Sequence, residues 1–148
     1  MRDCCEKTKA SKIKVSENGK HATFINKEKA LYHRIKVDGC MFNNETACDW
    51  LVTRHPTESV VIELKGVNVD HALNQIEVSF EKLQAAGKLT GKLGALIVCS
   101  KTSRHPSFTS KLQKMKEKLA KSYQAPLHIV TSNREYEISR VVSHNGPF

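Results

Sequence analysis

Val60-Val61-Ile62-Glu63-Leu64-Lys65-Gly66 is the stretch on which the fold turns. Its β-branched and apolar residues predict a strand, and side chains in a strand alternate between faces. Val60, Ile62 and Leu64 therefore point into a core, while Val61, Glu63 and Lys65 point the other way. A carboxylate and an ammonium emerge two residues apart at the end of a strand that otherwise reads as interior, and Gly66 stops it.

Working back from this strand, Cys48 to Thr53 reads as another, joined to it through Arg54-His55-Pro56-Thr57-Glu58. Two strands and a short loop predict a hairpin. Asp49 stands at the start of the first strand, so the hairpin can carry it beside Glu63. Tyr32 to Phe42 alternates as a half-buried strand, with a turn at Asn43-Asn44. His21 to Asn26 is a short strand. Residues 1 to 20 are polar and lysine-rich, with a turn signal at Glu17-Asn18-Gly19. They read either as a short helix followed by an edge strand at Lys12 to Val15, or as partly disordered.

Working forward, Val69, Leu73, Ile76, Phe80 and Leu83 recur at helical spacing and build one apolar stripe, which predicts a helix over Val69 to Ala86 with Gly87 as its stop. Leu93 to Cys99 is continuously apolar, as in a strand buried on both faces. Phe108, Leu112, Met115 and Leu119 mark a second helix from Ser107 to Tyr123. Pro126 to Thr131 adds a strand, and Tyr136 to Val142 reads as one more. The expected fold is α/β, a central mixed sheet flanked by helices, in one domain spanning residues 1–148.

Composition sets outer bounds. The 148 residues carry a net charge of +9, an excess that favours polyanionic partners. A membrane surface fits poorly, because neither amphipathic helix shows Trp or Phe on its charged face. The first residues lack an apolar signal region, so a cytoplasmic location is expected. Cys4, Cys5, Cys40, Cys48 and Cys99 form no C-x-x-C pair. They are expected to be reduced structural thiols, with Cys99 a small buried hydrophobe.

The chemistry gathers at the hairpin. Carboxylates on adjacent strands can hold a hard cation such as Mg²⁺, which prefers oxygen ligands, and Mn²⁺ can replace it. A neighbouring lysine can orient the attacking water or stabilise charge developing on phosphorus. The competing reading is a surface Glu–Lys pair on an edge strand.

The residues Cys48-Asp49-Trp50-Leu51-Val52 and Val61-Ile62-Glu63-Leu64-Lys65-Gly66, with the helix Asp70-His71-Ala72-Leu73-Asn74-Gln75-Ile76 behind them, resemble the PD-(D/E)xK nuclease superfamily. The pattern is closest to members like Holliday-junction resolvases and RecB. The resemblance spans roughly residues 34 to 100. It implies a restriction-endonuclease-like core of a helix, three strands, a helix and a strand. It also implies that Asp49 and Glu63 bind metal, Lys65 assists the water and Gln75 supports the site. Gln75 shares a helix flank with the small residues Ala72 and Ser79, which would let that flank approach the sheet. Members often carry a further acidic residue on a helix before the first core strand. Here only Glu6 or Glu28 could match, and neither sits in a long helical pattern, which leaves the metal count open. His71 lies near the site in sequence and could contact phosphate, against the plainer reading of a surface histidine.

Lys111, Lys114, Lys118 and Lys121 line one flank of the second helix, and Lys101 and Arg104 lie in the loop before it. These suit sequence-independent phosphate contacts, against the plainer reading of a solvated lysine face. The expectation is a Mg²⁺-dependent DNA endonuclease, as a homodimer or a subunit of a DNA-processing or phage-defence system, with RNA also open as substrate. The alternative is a catalytically silent nuclease-fold subunit that binds nucleic acid or protein.

Overall fold

The structure, a computed structural model, describes residues 4–17, 19–43, 46–64, 69–100, 105–131 and 133–148. At its centre is the strand expected around Glu63, here β6 (Glu58–Leu64), and all seven of its residues are buried. β5 (Trp50–Arg54) runs antiparallel to it, pairing Trp50 with Ile62 and Arg54 with Glu58. β7 (Lys92–Val98) runs parallel on the other side, with Glu63 opposite Ile97. With β1 (Cys5–Thr8), β4 (Tyr32–Lys36) and β8 (Leu127–Val130) these make a mixed six-stranded sheet of order β1-β4-β5-β6-β7-β8. The fold is α/β, as the sequence predicts.

Both faces of this sheet are covered, which is why β6 has no polar face. α1 (Val69–Ala85) and α2 (Pro106–Tyr123) pack on one face over Leu51, Val61, Ala95 and Ile97. The predicted α1 stripe is fully inside, with Ile76, Phe80 and Leu83 at 0% exposure. On the opposite face Val52, Val60, Ile62 and Leu64 meet a three-stranded sheet and a short helix. That sheet is β2 (Lys12–Glu17), β3 (Lys20–Ile25) and β9 (Glu135–Tyr136), in the order β2-β3-β9, and the helix is α3 (Ile138–Val141). The alternation of β6 thus divides two interiors rather than a core from solvent.

Side chains tie the layers where backbone pairing cannot. Arg34 donates to the Lys14 carbonyl and pairs with Glu6, and Trp50 Nε1 donates to the Ser16 carbonyl at 3.2 Å. Lys36 pairs with Glu17 at 2.8 Å and lies 5.1 Å from the centre of the Trp50 ring. Carbonyls of β2 thereby gain partners from the main sheet, satisfying groups that would otherwise need water.

Several expectations are corrected. Residues 5–8 form an edge strand, not a helix or a disordered arm, because Cys5 to Thr8 pair with Ile35 to Tyr32. The strand expected over Tyr32 to Phe42 ends at Lys36. There the chain turns back through Gly39 (φ +78°), with Phe42 N donating to the Val37 carbonyl at 2.9 Å. The region read as a strand over Tyr136 to Val142 is a two-residue strand followed by helix α3. Its Ile138, Val141 and Val142 serve either periodicity, and short apolar runs do not decide between them. Gly94 decides it spatially. A Cβ there would lie 2.7 Å from the Val141 carbonyl oxygen, so α3 rests on β7 where a side chain is missing. Finally, Cys4 and Cys40 form a disulfide (Cα–Cα 5.7 Å), against the expectation of reduced thiols throughout. Cys48 and Cys99 are buried thiols, and burial pushes Cys48 up to about 12. Among the described residues, no helix is long and apolar enough to cross a membrane.

The closed end of the β5–β6 hairpin is clamped by Arg54, whose guanidinium meets the Glu58 carboxylate, with Thr57 Oγ1 also donating to it. Burial alone would raise the Glu58 pKa. The hydrogen bonds from Arg54 and Thr57 and the Arg54 charge outweigh it and hold the carboxyl below the usual glutamate value. A depressed folded-state pKa stabilises the fold above the unfolded value, about 4.3, and that contribution is lost as pH falls through the lower folded value. Glu58→Gln is predicted to cost about 1.5–3 kcal/mol at neutral pH and little in strong acid, read by urea unfolding across pH. Gly94→Ala is predicted to lower stability by about 1–3 kcal/mol in the same assay, because α3 must move off β7.

Candidate functional site

β5 begins where β6 ends, so this open end of the hairpin gathers residues distant in sequence. Asp49 precedes β5 and is 7% exposed, and Glu63 near the end of β6 is 0% exposed. The two carboxylates interlock through the backbone. Asp49 Oδ2 accepts from the Leu64 amide at 2.8 Å. Glu63 Oε1 accepts from the Asp49 amide at 3.1 Å, and the same amide also reaches the Ile62 carbonyl at 3.1 Å. Each acid thus orients the strand that carries the other. The hairpin brings Asp49 beside Glu63, in a register that pairs Trp50 with Ile62. The full burial of Glu63 removes the reading of a surface Glu–Lys pair on an edge strand.

The chain entering Asp49 is held by one flank of α1. Gln75 Nε2 donates to the Ala47 carbonyl at 3.0 Å, Ser79 Oγ accepts from the Cys48 amide at 2.6 Å, and Lys82 Nζ donates to the Thr46 carbonyl at 2.9 Å. Positions 75, 79 and 82 share a helix face. Ala72 and Ser79 are wholly buried, and Gln75 is 6% exposed, so the small residues do bring this flank onto the sheet. Gln75 Oε1 is buried with no hydrogen-bond partner among the described residues. Sequence reasoning passed over Ser79 and Lys82 as anchors; the signal was their spacing from Gln75.

Lys65 lies outside the described residues, as do Lys101 and Arg104. Lys111, Lys114 and Lys118 line a cavity of about 350 Å³ between α1 and α2, floored by Leu73 and Met115. They do not stand as a bare cationic stripe. Lys111 lies 4.0 Å from Asp70, and Lys118 is ion-paired with Glu77, both acids on α1. Lys121, a turn further on, is exposed, and so is His71 on α1. Of the acidic residues considered as a further ligand, Glu6 pairs with Arg34, and Glu28 lies 3.7 Å from Arg54 at the opposite end of β5 from Asp49.

Among the described residues, no group of three or more His, Cys, Asp or Glu side chains is placed to hold a metal ion. Asp49 and Glu63 each place a carboxylate at this end of the hairpin, and the Gln75 amide oxygen is buried on α1. This donor set is of the kind that a hard divalent cation takes.

Because Asp49 Oδ2 satisfies a buried amide, Asp49→Ala is predicted to destabilise the protein by about 1–3 kcal/mol, the cost of leaving the Leu64 N–H without a partner. Asp49→Asn keeps an acceptor at that position and is predicted to lose less. Chemical denaturation of the variants checks both.

Comparison of the chain with protein-family models, with curated proteins and with solved structures finds no match.

Proposed function

We propose that the open end of the β5–β6 hairpin is the centre of a Mg²⁺-dependent nuclease of restriction-endonuclease-like, PD-(D/E)xK type. The observation that carries this reading is the convergence of Asp49 and Glu63, from neighbouring strands, on one rim of the sheet. Lys65 follows Glu63 by two residues, giving the acid–acid–lysine set that phosphodiester hydrolysis uses.

Asp49 and Glu63 would hold the cation, each already turned by a backbone amide that fixes one of its oxygens. Such fixing lowers the entropy lost when a ligand binds. Bound Mg²⁺ would polarise a phosphate oxygen and lower the pKa of a coordinated water. Lys65 would orient that water or stabilise charge on phosphorus. Gln75 is a positioning residue, holding Ala47 and through it the approach to Asp49. DNA is the expected substrate, with RNA second. The lysines of α2 supply phosphate contacts, with Lys101 and Arg104 just ahead of that helix in sequence. A homodimer or a partner subunit would extend the reach of so small a chain.

A second reading has its own support. Both acids accept hydrogen bonds from main-chain amides, and Glu63 is wholly buried, as in a purely structural clasp. On that reading the chain is a silent nuclease-fold subunit that binds nucleic acid or a protein partner.

Plasmid, branched DNA and RNA incubated with Mg²⁺ or Mn²⁺ separate the two. The nuclease reading expects cleavage that falls by about 10²-fold or more in Lys65→Ala and in Asp49→Asn, with both variants still folded by circular dichroism. Binding to nucleic acid without cleavage of any substrate would favour the silent subunit. Cleavage that persists undiminished in both variants would move the active site elsewhere.

A further inference from the structure

The Cys4–Cys40 disulfide joins the edge strand β1 to the turn over residues 37–42. That turn is built from its own hydrogen bonds. Phe42 N donates to the Val37 carbonyl at 2.9 Å, Gly39 N to the Phe42 carbonyl at 3.0 Å, and Met41 N to the Lys36 carbonyl at 3.3 Å. It also reaches directly into the candidate site. Val37 N donates to the Asp49 carbonyl at 3.1 Å, and Asp38 N to the Cys48 carbonyl at 3.0 Å. The main chain of Asp49 is therefore held from two sides, by α1 through Ala47 and Cys48 and by the turn that Cys40 tethers.

Both disulfide cysteines line an open cavity of about 530 Å³ at the sheet edge, with Lys7, Lys36 and Trp50 among its walls. Neither Cys4 nor Cys40 is fully buried. A small thiol can reach this bond, in contrast to the buried Cys48 and Cys99 thiols. Beside the disulfide, β1 pairs with β4 over four residues, Lys36 N donates to the Cys4 carbonyl at 2.9 Å, Cys5 packs against the core and Glu6 pairs with Arg34. A four-residue edge strand is the kind of element that opens locally while the sheet interior stays closed.

We propose that the Cys4–Cys40 disulfide is a redox lock on the backbone of Asp49. A small dithiol is the reductant. One of its thiolates attacks Cys40 Sγ, the Cys4–Cys40 bond breaks, and Cys4 leaves as a thiolate that takes a proton. The second thiol of the reductant then displaces Cys40 from the mixed disulfide. The reductant departs as a cyclic disulfide, and the protein keeps two thiols, having gained two electrons and two protons. Reduction frees the turn from β1 and loosens the two amide contacts to Cys48 and Asp49. In its consequence for cleavage this lock rests on the nuclease reading; in its consequence for the backbone it does not.

The test is amide hydrogen exchange on the full chain in three forms: air-oxidised, reduced with dithiothreitol, and Cys4→Ser/Cys40→Ser. Peptide mapping of the oxidised form should show Cys4 linked to Cys40; a link through Cys5 instead, or none, overturns the lock. The Val37, Asp38 and Phe42 amides should exchange at least about tenfold faster in the two forms without the bond, while β6 and β7 keep their protection. Equal exchange in all three forms overturns the proposal. So does a general loss of protection, which would make the bond a staple of the whole fold. Nuclease assays run beside it read separately. A protein inactive in every form counts against the nuclease reading, while the exchange pattern still decides the lock.

Discussion

The hydrogen bonds between the two acids and each other's strand are the constraint on which the open end of the hairpin depends. A carboxyl at 0% exposure is costly unless its oxygens find donors. Glu63 Oε1 accepts from the Asp49 amide, and Asp49 Oδ2 accepts from the Leu64 amide in return. At the other end Glu58 does similar work with Arg54. The β5–β6 hairpin is thus fastened at both ends by carboxylates, with the apolar residues Val60, Val61 and Ile62 of β6 between them. A one-residue slip would turn every side chain of β6 to the other interior, and these polar fastenings oppose it alongside the hydrophobic pattern.

α1 has two separate tasks, and its sequence shows both once the contacts are known. Its apolar stripe fills the space between sheet and α2. Its polar flank, at Gln75, Ser79 and Lys82, binds the extended chain from Thr46 to Cys48. That segment lies outside the sheet ladder, so its buried backbone groups need partners from side chains. The helix therefore sets where Asp49 sits, because the three residues before the acid are pinned to it.

The elements with strong periodicity were legible in the sequence: both long helices, the buried strand β7 and the β5–β6 hairpin. Each draws its stability from burying a face whose pattern is written in consecutive residues. That Asp49 can stand beside Glu63 was legible from the hairpin, whereas the register that makes them neighbours was not, because it is set by pairing across the loop. What escaped reading depends on distant residues. The edge strand β1 has a single apolar residue, Cys5, and forms because β4 offers it a ladder, and helix α3 forms against a gap left by Gly94. The Cys4–Cys40 bond joins positions that become neighbours through the turn after β4, which no local spacing encodes. The second interior was missed because alternation in a strand reports two faces without saying what covers each.

The lysines of α2 show how charge and fold constrain each other here. Lys111 and Lys118 face Asp70 and Glu77 across the cleft between the helices, so two of these lysines already have acidic partners within the molecule. These pairs are exposed on the lysine side, and contacts of that kind add little to stability and weaken with salt. A polyanion could therefore take the lysines from their partners at small cost, leaving Asp70 and Glu77 solvated on α1. The acids would then sit along the same cleft as the incoming phosphates and repel them. Binding through this face consequently favours a backbone that runs along α2 toward Lys121, away from the acidic edge of α1, over one laid across both helices.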